Sequence, residues 1–205
     1  MIDNIGLVEF LHKTASKEPA PGGGSVAALG GALGAALTEM MARLTLGKKN
    51  YSNVEKDMLA LIESVSKKRE EFLLDIERDS KAYREVIGAY GLPRDTESQA
   101  NYRAEKIQET TKNAALVPLQ IAQKAFDLMD FSEEVIIKGN KNAITDGAIA
   151  TVMARAAVTS ALYNVKINLA SIKDASFVED LSKQVKRLEE QVKLREKEIL
   201  AKVRY

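Results

Sequence analysis

The chain contains no cysteine, so disulfides, thiolate metal sites and a cysteine nucleophile are excluded. Its single histidine rules out a multi-histidine metal centre and leaves little room for a Ser/His/Asp triad, so no metal is expected. Excess charge is missing too: 30 Lys and Arg stand against 29 Asp and Glu, a net of +1, which gives no electrostatic footprint for nucleic acid or an acidic membrane. The apolar run from Val26 to Leu37 is followed at once by Glu39 and Arg43, which argues against a membrane span. The N-terminus carries Asp3 and Glu9 and has no long apolar run after a basic start, so it does not read as a secretory signal, and a cytoplasmic location is expected. Alternating β-branched runs are absent, prolines number four, and the chain is rich in Ala, Leu, Glu and Lys. An all-α, single-domain multi-helix bundle over residues 1–205 follows.

What the chain does have is concentrated between Pro19 and Leu44. Pro19, Ala20, Pro21 and Gly22 to Gly24 cannot continue a helix, and Ser25 ahead of an Ala/Leu-rich run reads as an N-cap. Unpaired N–H groups at such a helix start, reached past glycines without side chains, make a candidate anion or carbonyl site. The bare alternative is a buried central helix. Its residues divide into a large stripe, Val26, Leu29, Leu33, Leu37, Met40 and Leu44, and a row without bulk, Ala27, Gly31 and Ala35 with Gly30 and Gly34 beside it. The second row lets another helix pack very near, and both faces are expected to be covered.

Around this centre the periodicity predicts five more helices. The first, from Asp3 or Asn4 to Ser16, turns Ile5, Val8, Leu11 and Ala15 inward and leaves His12 beside the stripe as a surface residue. After a stop at Gly47, where Lys48 and Lys49 are either solvated or ligands for carboxylates, a helix from about Asn53 to Tyr90 follows. Its seam of Val54, Met58, Leu61, Val65, Phe72 and Ile76 leads onto Asp79, a carboxylate where bulky apolar groups otherwise stand. Such a group is either a proton-transfer residue with its pKa raised by burial or a core Asp that is capped or paired. Asp75 and Glu77 are expected off the seam, in solvent. Thr96 and Gln99 form a capping box for a helix interrupted by Pro118, which frees the carbonyl of Ala114. A polar connection, Gly139 to Asp146, leads to a helix capped by Thr145 or Asp146, whose alanines 148, 154, 157 and 161 make it the mate of the small-residue row, with Ile149, Val152, Met153, Ala156, Ser160, Tyr163 and Ile167 on another face. Its amides Asn164 and Asn168 need partners, backbone or ligand. Ser176 and Glu179 box the last helix, which carries Leu181, Val185, Leu188, Val192 and Ile199 along one edge, as a solvated outer helix or a subunit contact.

Five stretches in order, PAPGGGSVAA (19–28), LGKKNY (46–51), Asp79 with Ala82 and Tyr83, Gly139 and Asn140 followed by Asp146, and NVKINL (164–169), resemble the cyclodeaminase domain of formiminotransferase-cyclodeaminase and its free-standing relatives, among them methenyltetrahydrofolate cyclohydrolases. The resemblance implies an all-helical homodimer in folate one-carbon metabolism, with a tetrahydrofolate derivative as substrate and no permanently bound cofactor. It implies Asp79 as the catalytic acid, Gly22, Gly23, Gly24, Ser25, Asn140, Asp146, Asn164 and Asn168 around the pterin and one-carbon unit, and Lys48 with Lys49 at the glutamate tail. The first reading is a formiminotetrahydrofolate cyclodeaminase, served by a separate formiminotransferase. The second is a cyclohydrolase, and the third a non-catalytic helical oligomer that binds folate or another anion.

Overall fold

The computed structural model describes residues 6–204. Among them are six α-helices and no strand: α1 (Leu7–Thr14), α2 (Gly23–Arg43), α3 (Glu55–Tyr90), α4 (Glu97–Lys138), α5 (Ile144–Leu169) and α6 (Ala175–Leu200), with short 3-10 turns at Lys49–Val54 and Lys141–Ala143. Helices α2 and α3 run antiparallel to each other, and so do α4 and α5, as paired positions along them demonstrate: Glu39 meets Arg69 while Ser25 meets Asp79, and Ser132 meets Thr151 while Ala114 meets Asn168. The edge of α6 carrying Leu181, Val185, Leu188, Val192 and Ile199 is buried, the helix lying on α5 and α4.

The small-residue row of α2 does bring α5 close. A side chain at Gly34 would stand 3.1 Å from the backbone oxygen of Ala150, and one at Gly30 would meet Ala157 at 3.7 Å. Gly31 admits the ring of Phe72 from α3, which would lie 2.6 Å from any Cβ there. By length and mean hydropathy alone, α2 and the stretch Lys141–Leu169 are apolar enough to cross a membrane. In this fold they pack on each other through their small-residue faces.

The large-residue faces depart from expectation. On α2, Val26, Leu33, Met40 and Leu44 are exposed, and on α5 so are Ile149, Val152, Tyr163 and Ile167, the last two at 67% and 69%. The cause is close packing: where two helix axes approach on glycine and alanine, the bulky sides must face away. Helix α1 is likewise reversed, anchored by buried Phe10 while Leu7, Val8 and Leu11 point out; its predicted start and Ile5 lie outside the described residues. His12 is exposed, as read.

Three predicted caps are replaced. Helix α2 begins at Gly23 with Gly22 as N-cap, so Ser25 sits inside the first turn, its hydroxyl drawn onto α3. Helix α5 starts after Ala143, ahead of Thr145 and Asp146. At α6 the cap is Asp174, which accepts from the Phe177 N–H and the Ser176 hydroxyl. The Thr96/Gln99 capping box of α4 is present in both directions.

Candidate active site

The first turn of α2, the C-terminal third of α3 and the last turns of α5 surround a cleft of about 300 Å³ lined by Pro19, Ala20, Gly22 to Gly24, Asp79, Ser80, Tyr83, Asn164, Ile167 and Asn168 among others. Asp79 is half-buried on its wall. A Cβ on Gly24 would lie 2.0 Å from Asp79 Oδ1, so only glycine lets the carboxylate approach the helix start. The Ser25 hydroxyl donates to Asp79 Oδ2 at 2.9 Å and its backbone N–H also bonds the carboxylate. The Ser25 oxygen also lies 3.1 Å from the Ser80 hydroxyl and 3.3 Å from the Ile76 carbonyl. One hydroxyl hydrogen serves one acceptor at a time; with Asp79 nearest, Ser80 is left to donate into Ser25.

Burial pushes the Asp79 carboxyl above its usual range. The two bonds from Ser25 pull it down, the charge of Asp75 adds to the rise, and the net shift is upward.

Asn168 donates its amide to the Ala114 carbonyl at 2.8 Å, the acceptor that Pro118 releases, and also to the Asn164 carbonyl at 2.8 Å. Asn164 donates to Ser160 at 3.0 Å. Both amides are thereby fixed in orientation by their nitrogens, which leaves their oxygens as acceptors for a ligand.

Asp75 corrects the expectation of a solvated side chain. It lies three residues after Phe72 and shares that face, is 1% exposed, and is bonded by Arg78 and Lys124, each at 2.7 Å. Glu77 pairs with Arg84 at 2.6 Å. Ser80, which also lines the cleft, escaped the sequence reading, and Ile167 was read there only as part of a helix face. Ser80 sits four residues beyond Ile76 on the packed face, a spacing that could have marked it.

The remaining predicted residues stand elsewhere. Lys48 and Lys49 are exposed and border a shallow hollow with Asn50, Tyr51, Asn140 and Asn142 at the far end of α2, and 21 residues of helix span about 30 Å. Asn140 is only 4% exposed, and its atoms serve the chain: its N–H and amide donate to Thr45 and Leu44, its oxygen accepts from Asn142. Asp146 lies in the first turn of α5, at that same end. The predicted residues therefore fall into two groups at opposite ends of α2, and no metal-ligating group of three His, Cys, Asp or Glu occurs among the described residues.

The formiminotransferase-cyclodeaminase family model matches residues 6–187. A methenyltetrahydrofolate cyclohydrolase of Methylorubrum extorquens is 40% identical over 188 residues, 92% of this chain and 90% of its own length. The formimidoyltransferase-cyclodeaminase of Rattus norvegicus is 30% identical over 190 residues, and this chain spans only 35% of its length. The crystal structure of formiminotetrahydrofolate cyclodeaminase from Thermotoga maritima matches with a TM-score of 0.88 at 28% identity, covering 99% of this chain and 98% of that one.

Proposed function

The chain belongs to the formiminotransferase-cyclodeaminase family, and on that premise we propose that it is a folate one-carbon enzyme that opens the methenyl bridge of 5,10-methenyltetrahydrofolate with water. The observation that carries this reading is Asp79, a carboxyl raised by burial and wedged against a glycine helix start inside a cleft. Water adds to the bridging carbon and gives one proton to Asp79; as the bond from that carbon to N5 breaks, Asp79 returns the proton to N5. The remaining hydroxyl proton leaves to solvent and the formyl group stays on N10, so the cationic substrate and water become a neutral product and one proton. Asp79 is also the counter-charge to the cation before attack. The cyclohydrolase reading is favoured over the deaminating one by the 40% identity to a relative of matching length, against 30% and 28% to those named for deamination.

Cyclodeamination is the second reading, supported by the 99% coverage of the Thermotoga structure. The same carboxyl would protonate departing ammonia after N10 closes on a formimino carbon. Assays of purified protein with methenyl- and with 5-formimino-tetrahydrofolate separate the two. Bleaching of the methenyl absorbance with no ammonia released is the expected result. Ammonia from the formimino substrate would select the second reading, and no melting shift with saturating folinic acid would remove both.

A second copy of the chain completes the site. The cleft is at the lower end of the usual range for small-molecule sites, roughly 300–1,000 Å³, and its rim residue Ile167 belongs to the exposed apolar face of α2 and α5. A two-fold axis lying in that face and crossing the helices runs the partner's α2 antiparallel, so one copy's lysine end approaches the other's glycine end. The pterin and one-carbon unit then occupy the cleft, and Lys48 and Lys49 of the second copy meet the carboxylates of the tail.

A further inference from the structure

Directly beneath Asp79, one helical turn back on α3, lies a buried charge that the reaction does not touch. Asp75 is 1% exposed, yet it has two cationic partners from different elements: Arg78 of α3 on Oδ1 and Lys124 of α4 on Oδ2, both at 2.7 Å. Lys124 is itself well covered, 3.2 Å from Glu71, with its ammonium 5.4 Å from the ring centroid of Phe72, the ring that fills the space over Gly31. Arg78 also holds Gln120 of α4 at 2.7 Å. Removing two charges from water is costly, and a well-packed apolar pair would often hold α3 to α4 as firmly. The placement of this pair suits a second task.

We propose that Asp75, held by Lys124 and Arg78, is a positioning residue for Asp79, its fixed charge one turn away adding to what burial does to make Asp79 keep a proton. Two carboxylates at i and i+4 on one helix face share a neighbourhood where water is scarce, and a like charge there favours the protonated form of its neighbour. The surroundings leave few other groups to do this. The first turns of α2 carry no charge and offer Ser25 alone. From α5 the groups facing the cleft are the amides Asn164 and Asn168, while Lys166 turns away to Glu189 of α6. From α4 the nearest charge is Lys124, which is spent on Asp75 and Glu71, and on α3 itself Arg78 is held by Asp75 and Glu77 is paired with Arg84, leaving Tyr83 on the rim. Asp75 is the charge whose sign agrees with the upward displacement of Asp79.

The inference rests on Asp79 as the proton carrier, and its test separates the two. In the unliganded full chain, the Asp79 carboxyl is titrated by carbon-detected NMR, and the acid limb of kcat/KM against pH is measured in parallel. Asp75→Asn removes the like charge and is expected to lower the Asp79 titration by about 0.5–1 pH unit, roughly a three- to tenfold loss of proton affinity. Lys124→Met, which keeps an unbranched chain against Phe72, leaves the Asp75 charge offset by Arg78 alone and is expected to raise it. The double variant, which removes one charge of each sign, is expected to return towards wild type and keeps the test available should Asp75→Asn fold poorly. A brace between α3 and α4 would weaken in both single variants without moving the titration in opposite directions. Titrations unchanged, or displaced the same way by both, overturn the proposal. Opposite displacements with a fixed kinetic limb uphold it and remove Asp79 from its place in turnover.

Discussion

At Asp79, burial and hydrogen bonding pull against each other, and burial prevails. The sign for stability follows directly. A carboxyl whose folded pKa lies above its ordinary 3.8 favours the fold most below that value, and this contribution is lost as pH rises through the folded pKa. Asp79→Asn, a fixed mimic of the protonated form, is therefore expected to melt above wild type at pH 7, with the gap closing as pH falls towards 3.8 in scanning calorimetry. The same variant should lose roughly 10²–10⁴ in turnover, the usual value of a positioned acid or base. Gly24→Ala tests the contact from the other side: its Cβ collides with the carboxylate, and about a hundredfold loss of kcat/KM is expected with helicity retained by circular dichroism. Gly31→Ala, which strikes the Phe72 ring, should cost about 1–3 kcal/mol in denaturant unfolding and leave kcat of the folded protein near wild type.

At the scale of the helix, the bond from Asn168 to the Ala114 carbonyl is where a proline in α4 shapes a cleft built mainly by other helices. Asn168→Ala orphans that carbonyl and should cost about 1–3 kcal/mol. Adding Pro118→Ala supplies a backbone N–H in its place, so the double-mutant cycle should return a favourable coupling on the order of 1 kcal/mol. The freed carbonyl was legible in the sequence because proline's missing donor is a covalent fact. Helix number, the α4 capping box and the α2–α5 pairing were legible for similar local reasons. Caps at Ser25, Thr145 and Ser176 were misread because several residues near each start can cap, and tertiary contacts choose among them. The faces of α2 and α5 were legible as two stripes but not as inner and outer: periodicity marks sides, and only the approach of a second backbone on glycine decides which side is core. Asp75 was lost for a related reason, since no sequence window contains the Lys124 that meets it.

For the whole molecule, the separation of the two groups of candidate residues by the length of α2 is what makes the proposed enzyme call for a second copy. Leu33→Glu combined with Ile149→Glu places charges in the apolar face and is expected to give a folded monomer by light scattering, with little activity. A sharper measurement mixes two inactive parents, Asp79→Asn and Lys48→Ala/Lys49→Ala. Random exchange makes half the dimers mixed, each with one intact site, so activity should recover to about a quarter of wild type. No recovery would place each site within one chain. The two groups of candidate residues could be named from the sequence one by one, but their distance apart could not, because spacing along a chain says little about which ends of antiparallel helices coincide.

The outward-turned leucines and isoleucines of α2 and α5 carry a last implication. The proposed division of the site between two identical chains would make activity sensitive to its own abundance: below the dissociation threshold, output would rise with the square of the amount of protein, and dilution would silence it.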